Sequence, residues 1–287
     1  MSALEAVFFG IIQGLAEFLP ISSSGHLAFL HNIFGTEENR MTFDLLLHLG
    51  TLLAVCVVYY KDIWQLICAF FSLVGKVFRE KFALGRIKLD KNEKFLVMIV
   101  VALIPLVIGA LIEDLVEFVG MYTVAIGVLW LINGTLLWFS DRVAAKRRSD
   151  SLEESEKKKT PLNALKVGLC QLLAIFPGIS RSGMTITGGL LCGFDREFAV
   201  KFSFIMSIPA ILGAAVTEIP DLFSGNVDQE FPLILCLLGA FVAFGAGIGA
   251  MKLLIYISRK SNFRIFSVYC LIVGTLIVIL DLCKIAK

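Results

Sequence analysis

Gln13-Gly14-Leu15-Ala16-Glu17-Phe18-Leu19-Pro20-Ile21-Ser22-Ser23-Ser24-Gly25-His26-Leu27 is the stretch that decides the fold. The apolar run Leu4 to Leu19 that leads into it is about 16 residues, or roughly 24 Å of helix at 1.5 Å per residue. The hydrocarbon core of a bilayer needs roughly 20 residues. The run halts at Pro20-Ile21-Ser22-Ser23-Ser24-Gly25, and a second short apolar piece follows over 27–34. Irregular backbone is tolerated at membrane depth only where protein buries it or where it lines a cavity. A helix–loop–helix hairpin that enters and leaves by one face meets that condition.

A second stretch has the same build. Leu162 to Phe176 stops at Pro177-Gly178-Ile179-Ser180-Arg181-Ser182-Gly183, and a short apolar piece follows over 184–194. A shift of 158 residues, without gaps, pairs Gln13 with Gln171, Leu15 with Leu173, Ala16 with Ala174 and Phe18 with Phe176. It also pairs Ile21 with Ile179, Ser22 with Ser180, Ser24 with Ser182 and Gly25 with Gly183. The coincident Gln, Ser and Gly positions point to an internal duplication.

The rest of the chain agrees with a membrane setting. Of 287 residues, 57% are hydrophobic and 17% charged, with a mean hydropathy of +0.85; a soluble domain averages about 45–50% apolar and about 25% charged. Six stretches have the length of spans: 43–60, 95–112, 122–139, 198–217, 231–254 and 264–283. Residues 63–78 are apolar but closely flanked by charge, which predicts an interfacial helix. The fold expected is an all-α polytopic membrane protein with six transmembrane helices, two re-entrant hairpins and an inverted-topology repeat. As one membrane domain it divides into a first repeat 1–140 (hairpin near 4–34), a cytoplasmic linker 141–160 and a second repeat 161–287 (hairpin near 162–194). The seven cysteines mostly fall inside apolar runs with no CxxC pattern, so inert thiols are expected. No basic leader with a cleavage site precedes the first apolar stretch, which is expected to be retained.

Lys and Arg in short loops set orientation. Residues 76–94 hold Lys76, Arg79, Lys81, Arg86, Lys88, Lys91 and Lys94; 140–160 hold Arg142, Lys146, Arg147, Arg148 and Lys157 to Lys159; 258–264 hold Arg259, Lys260 and Arg264. The loops between are acidic, with Glu113, Asp114 and Glu117 in one and Glu218, Asp221, Asp228 and Glu230 in the other. Six spans put all three basic loops on one side, the cytoplasm. The first hairpin then enters from outside and the second from the cytoplasm, so that their tips meet near the midplane, as in transporters built from broken helices.

The two tips carry the chemistry. Gln13 and Glu17, at i and i+4, share a helix face, and a carboxylate within lipid usually faces a cavity with a function. The plain alternative is a Glu that pairs with His26 or backbone donors and ties the hairpin. Ser180-Arg181-Ser182-Gly183 opens a short helix, whose free N–H groups suit a phosphate, and Arg181 adds a planar fork. Its plain alternative is an Arg that snorkels or pairs with Glu17. No GxxxxGK[ST] or GxSxG motif is present, which leaves nucleotide P-loop and α/β-hydrolase chemistry unsupported. Ser23 with His26 three residues on supplies a candidate nucleophile–base pair, favouring an enzyme over a transporter or channel for an anionic lipid. His48 reads as a hydrogen-bonded core histidine, with a cavity-facing ring as the alternative, His31 as interfacial and Asp44 as solvated, while Trp64, Trp130 and Trp138 suit interfacial positions.

The first stretch resembles the first motif of the undecaprenyl-diphosphate phosphatase (bacitracin-resistance protein) family, and Pro177-Gly178-Ile179-Ser180-Arg181-Ser182-Gly183-Met184-Thr185 is similar to its second. The resemblance implies hydrolysis of undecaprenyl diphosphate to undecaprenyl phosphate and inorganic phosphate, recycling the carrier lipid for peptidoglycan synthesis and conferring bacitracin resistance. It implies a multi-pass protein of the bacterial inner membrane, a polyprenyl diphosphate substrate and a divalent cation (Mg²⁺ or Ca²⁺), with no nucleic-acid partner; the hairpin geometry suggests a site that opens outward, and a homodimer is left open by the sequence. The alternative is a transporter or flippase for an anionic prenyl-phosphate lipid. The catalytic positions it implies are Glu17, Ser23, His26 and Arg181, with Ser22, Ser24, Gly178, Ser180, Arg181, Ser182, Gly183 and Thr185 around the phosphate and Glu17 with Gln13 at the metal. Many relatives have Glu at the position of Gln13, so one carboxylate stands here for two. In the expected mechanism Ser23 attacks phosphorus and His26 takes its proton; in a rival one His26 attacks.

Overall fold

The computed structural model describes residues 1–34, 41–80, 88–146, 152–223, 232–260 and 263–283. Lys81, Arg86, Arg147, Arg148, Asp228 and Glu230 lie outside the described residues, as does Phe231 at the start of an expected span. The described residues form helices and no strand. Five helical segments are long and apolar enough to cross a membrane: Lys91–Gly109, Thr123–Lys146, Arg196–Val216, Leu233–Arg259 and Arg264–Leu282. A sixth is counted if the bent pair Thr42–Val58 and Tyr60–Arg79 is taken as one span.

In chain order, α1 (Ala3–Phe18) and α2 (Ser23–Phe34) form the first hairpin, with α3 (Met41–Val58) and α4 (Tyr60–Arg79) after it. Next come α5 (Lys91–Leu103), α6 (Leu106–Gly109), a 3₁₀ turn Ala110–Ile112, α7 (Glu113–Gly120), α8 (Thr123–Lys146) and the short α9 (Leu152–Lys158). The second hairpin is α10 (Pro161–Leu173) and α11 (Arg181–Leu191), and α12 (Arg196–Phe223), α13 (Leu233–Lys260) and α14 (Arg264–Leu282) complete the chain. Ser2 caps α1 in a capping box with Glu5, and Asp90 does so for α5 with Glu93, which satisfies N–H groups that a helix start leaves free. Pro105, which has no N–H to give, falls at the break between α5 and α6.

α4 turns 83° from α3, and Trp64, Phe70, Phe71 and Phe78 on it are exposed. A helix crosswise to a span with an apolar face uncovered has the form of one lying in the membrane interface. Leu111, Val107, Ile234, Phe241 and many other large apolar side chains are also exposed on the remaining helices, far beyond what a water-soluble monomer shows. The protein is a multi-pass α-helical membrane protein.

Each hairpin leans on a helix from the far half of the chain: α1 packs most extensively on α13, and α10 on α5, while α8 packs on α14 and α3 on α13. Small residues make the first contact close. A Cβ on Gly14 would stand 2.5 Å from the Ala243 carbonyl, so only glycine lets α1 and α13 approach this far. Ion pairs gather the ends that carry the basic loops: Lys76 with Glu93 (2.6 Å), Lys201 with Asp62 (2.5 Å), Arg259 with Glu197 (2.5 Å) and Arg196 with Asp141 (2.7 Å). Trp138 lies there too, under Arg142 and Arg264. None of the seven cysteines is joined in a disulfide.

Candidate active site

Glu17 is the centre. It sits on the last turn of α1 and is buried. Its Oε2 accepts from Gln13 Nε2 at 3.0 Å and from Ser23 Oγ at 2.7 Å, and its Oε1 accepts from the Arg181 guanidinium. His48 Nε2 stands 3.8 Å from Oε2. A carboxylate so enclosed stays ionised only with such company, because burying an unpaired charge costs several kcal/mol. Glu17, Ser23, His48, Gln171 and Arg181 line a cavity of about 320 Å³, whose other walls include Leu45, Leu106, Ile175 and Ala214.

Local backbone delivers these groups. Ser22 has a left-handed φ of 69°, a conformation uncommon outside glycine; it reverses the chain so that α2 starts at Ser23, beside Glu17. In the second loop Gly178 has φ +100°, and a Cβ there would stand 2.5 Å from the Ile126 carbonyl. Ser180 then caps α11, its Oγ accepting from Gly183 N at 3.0 Å, which sets Arg181 at the first helical position.

One residue ties the two loops together. Asn133 on α8 donates from Nδ2 to the Pro20 carbonyl (3.2 Å) and accepts at Oδ1 from Ser180 N (3.2 Å). Ser182 Oγ adds a bond to the Leu19 carbonyl at 3.1 Å, and Trp130 Nε1 donates to the Ile21 carbonyl at 2.7 Å. These supply partners for loop carbonyls that would otherwise go unsatisfied away from water.

The expected site residues thus divide. Glu17, Ser23 and Arg181 are together, with Gln13 behind them. His26 is not joined to Ser23: its Nδ1 donates to the Ser22 carbonyl at 2.6 Å, and its Nε2 is 2.6 Å from the Tyr269 hydroxyl. A carbonyl only accepts, so in the neutral ring Nε2 is the bare nitrogen and takes the Tyr269 proton; both ring nitrogens are engaged. The ring also meets Trp130 edge-on, with centroids 4.9 Å apart. Of the phosphate-binding set, Arg181 faces the cavity, whereas Ser22, Ser180, Ser182 and Thr185 are buried and bond within the protein. Ser180 and Ser182 share a 3.1 Å contact, Thr185 and Ser203 one of 2.7 Å, and the exposed Ser24 lies 3.4 Å from Ser22 Oγ. A Cβ on Gly183 would meet Asn133 Oδ1 at 2.9 Å, so this glycine serves the loop–loop contact.

Other side chains depart from expectation. His48 lines the cavity; its Nδ1 donates to the Asp44 carbonyl at 2.7 Å, leaving Nε2 toward Glu17. His31 is buried and pairs with Asp44 at 2.9 Å, so neither is simply interfacial or solvated. Trp130 is buried, not interfacial, because its N–H finds a loop carbonyl. Nothing in the local sequence marks Asn133 or Tyr269, whereas Gln171 carries a signal in its pairing with Gln13.

The architecture and this centre define a membrane-embedded protein with an acid–serine–arginine cavity held between two hairpins. The chain belongs to the family described as bacitracin resistance protein BacA, whose model matches residues 6–276. It is 39% identical to an undecaprenyl-diphosphatase of Alkaliphilus metalliredigens over 98% of this chain and 100% of the relative. The undecaprenyl-diphosphatase of Desulfosudis oleivorans is 38% identical over 96% of this chain and 97% of its own length. That of Halothermothrix orenii is 37% identical over 98% of both.

Proposed function

We propose that the protein hydrolyses undecaprenyl diphosphate to undecaprenyl phosphate and inorganic phosphate, the reaction its relatives are named for. This returns the carrier lipid to cell-wall synthesis and accounts for bacitracin resistance. The observation that carries the reading is the convergence of Ser23 and Arg181 on the buried Glu17. A transporter needs no serine hydroxyl aimed at a carboxylate, and no relative named here is a transporter.

On this reading Ser23 Oγ forms a bond to the terminal phosphorus, the bond to the bridging oxygen breaks, and undecaprenyl phosphate leaves. Glu17 accepts the Ser23 proton, since it already accepts that hydrogen bond. This role passes to Glu17 from His26, whose ring holds the Ser22 turn against Tyr269. Arg181 is divided between Glu17 and the incoming phosphate, and its charge stabilises the transferring group. Water then cleaves the phosphoserine bond and frees phosphate.

Among the described residues no three His, Cys, Asp or Glu side chains gather into a metal cage. Mg²⁺ in phosphoryl-transfer sites is commonly held by one or two carboxylates together with substrate phosphates. Glu17 fits that part, and Gln13 Oε1 beside it is buried without a partner. They would hold a divalent cation that arrives with the diphosphate and neutralises its charge. The inner membrane, the cytoplasmic placing of the basic loops, the inverted relation of the two hairpins, an outward-opening site and a homodimer belong to the same proposal.

Phosphate release from a prenyl diphosphate by the wild type and by Glu17→Ala, Ser23→Ala, His26→Ala and Arg181→Ala tests the reading. Loss in the Glu17, Ser23 and Arg181 variants with only a partial loss in His26→Ala is expected. Full release in Ser23→Ala would end the assignment of the nucleophile.

A further inference from the structure

Gln171 stands in the wall of the cavity and carries an unmet hydrogen-bonding group. The residue is 1% exposed, it lines the same space as Glu17, Ser23 and Arg181, and neither Oε1 nor Nε2 has a partner. A buried polar atom left unpaired costs about 1–3 kcal/mol, and here two such atoms belong to one amide. The 158-residue shift explains how this arises. Gln13, its counterpart, gives its amide to Glu17 one turn on; the residue one turn after Gln171 is Ile175, where the first half has Glu17. The second half keeps the amide and lacks the carboxylate that would occupy it. Arg181 and Ser23 are already committed to Glu17, so Gln171 is the polar group of this cavity with its full capacity free.

We infer that Gln171 is a substrate-contacting residue, its carboxamide N–H donating to the terminal phosphate of the bound diphosphate from the wall formed by α10. The inference rests on the phosphatase reading and extends it to a residue outside both loop motifs. A neutral amide suits this place: it adds a donor without a further charge. The contact also gives the idle Nε2 an acceptor in the bound state.

The test uses the full chain in nanodiscs, as wild type, Gln171→Leu and Gln171→Glu, with a prenyl diphosphate as substrate and inorganic phosphate as product inhibitor. For Gln171→Leu we expect kcat/KM to fall about 10- to 100-fold, the loss of one hydrogen bond to a charged group. The phosphate concentration for half-inhibition should rise by a similar factor. Gln171→Glu should lose more, because its carboxylate opposes the phosphate. Without phosphate, Gln171→Leu should unfold on heating at the wild-type temperature or above it, since an unpaired buried amide has been removed. Unchanged kcat/KM and phosphate inhibition in Gln171→Leu would overturn the inference. So would a lowered unfolding temperature with unchanged inhibition, the mark of an amide satisfied by internal water. Should the wild type release no phosphate from the lipid while inorganic phosphate still stabilises it to heat, the phosphatase reading fails separately. Loss of that stabilisation in Gln171→Leu would then still uphold the phosphate contact, and its retention would refute it.

Discussion

Glu17 and Arg181, 164 residues apart in the chain, meet as a hydrogen-bonded ion pair with the carboxylate buried at the tip of one hairpin and the guanidinium at the tip of the other. Arg181→Met leaves that carboxylate uncompensated, at a cost of about 3–5 kcal/mol. A lower unfolding temperature and loss of phosphate release are expected. The double variant Glu17→Gln with Arg181→Met should recover much of the stability and none of the activity. Heat unfolding of Arg181→Met, Glu17→Gln and the double variant gives the coupling directly.

His26 and Tyr269 should act as one unit. Tyr269→Phe and His26→Gln each remove their shared bond, worth about 0.5–1.5 kcal/mol. Each should slow phosphate release by roughly 2- to 12-fold, with the double variant little worse than either single. Losses of several orders of magnitude in His26→Gln alone, with Tyr269→Phe unaffected, would restore His26 as the base for Ser23.

Asn133→Leu removes the bridge between the loops. The Pro20 carbonyl keeps only the weaker Cys270 thiol at 3.5 Å, and Ser180 N loses its acceptor. An unpaired buried backbone group costs about 1–3 kcal/mol. Reduced thermal stability together with reduced kcat is the expected result, although Asn133 touches no reacting atom.

Gly178→Ala places a Cβ 2.5 Å from the Ile126 carbonyl at a φ of +100°. Destabilisation beyond about 1 kcal/mol follows, since alanine is strained at positive φ even without a clash. The yield of folded protein on size exclusion, compared with Gly189→Ala, where the nearest atom is a side-chain carbon at 3.1 Å, checks this.

The hairpins were legible in the sequence because they rest on local facts: runs too short to span, each broken at Pro and Ser. The meeting of Glu17 with Arg181 was within reach as well, as an alternative to a phosphate-binding arginine. The failures share a cause. Ser23 and His26 are neighbours along the chain, but Ser23 turns to α1 while the His26 ring is claimed by Tyr269, 243 residues away. His48 looked like core because its neighbours on α3 are apolar; what makes it a wall of the cavity is α1 and α11. Trp130 is buried for the same kind of reason. Short-range pattern fixed where the chain bends, and long-range partners fixed which way side chains point.

The pairing of α1 with α13 bears on how the protein is made. Once made, α1 finds its main packing surface only after more than two hundred further residues have been synthesised. Until then its glycine face lacks its helix, and until residue 181 is made Glu17 lacks its arginine as well, so the nascent hairpin must be sheltered by lipid headgroups or by the insertion machinery. Truncation before α13 should therefore give a product that is inserted but degraded, and supplying the C-terminal half as a separate chain should protect it.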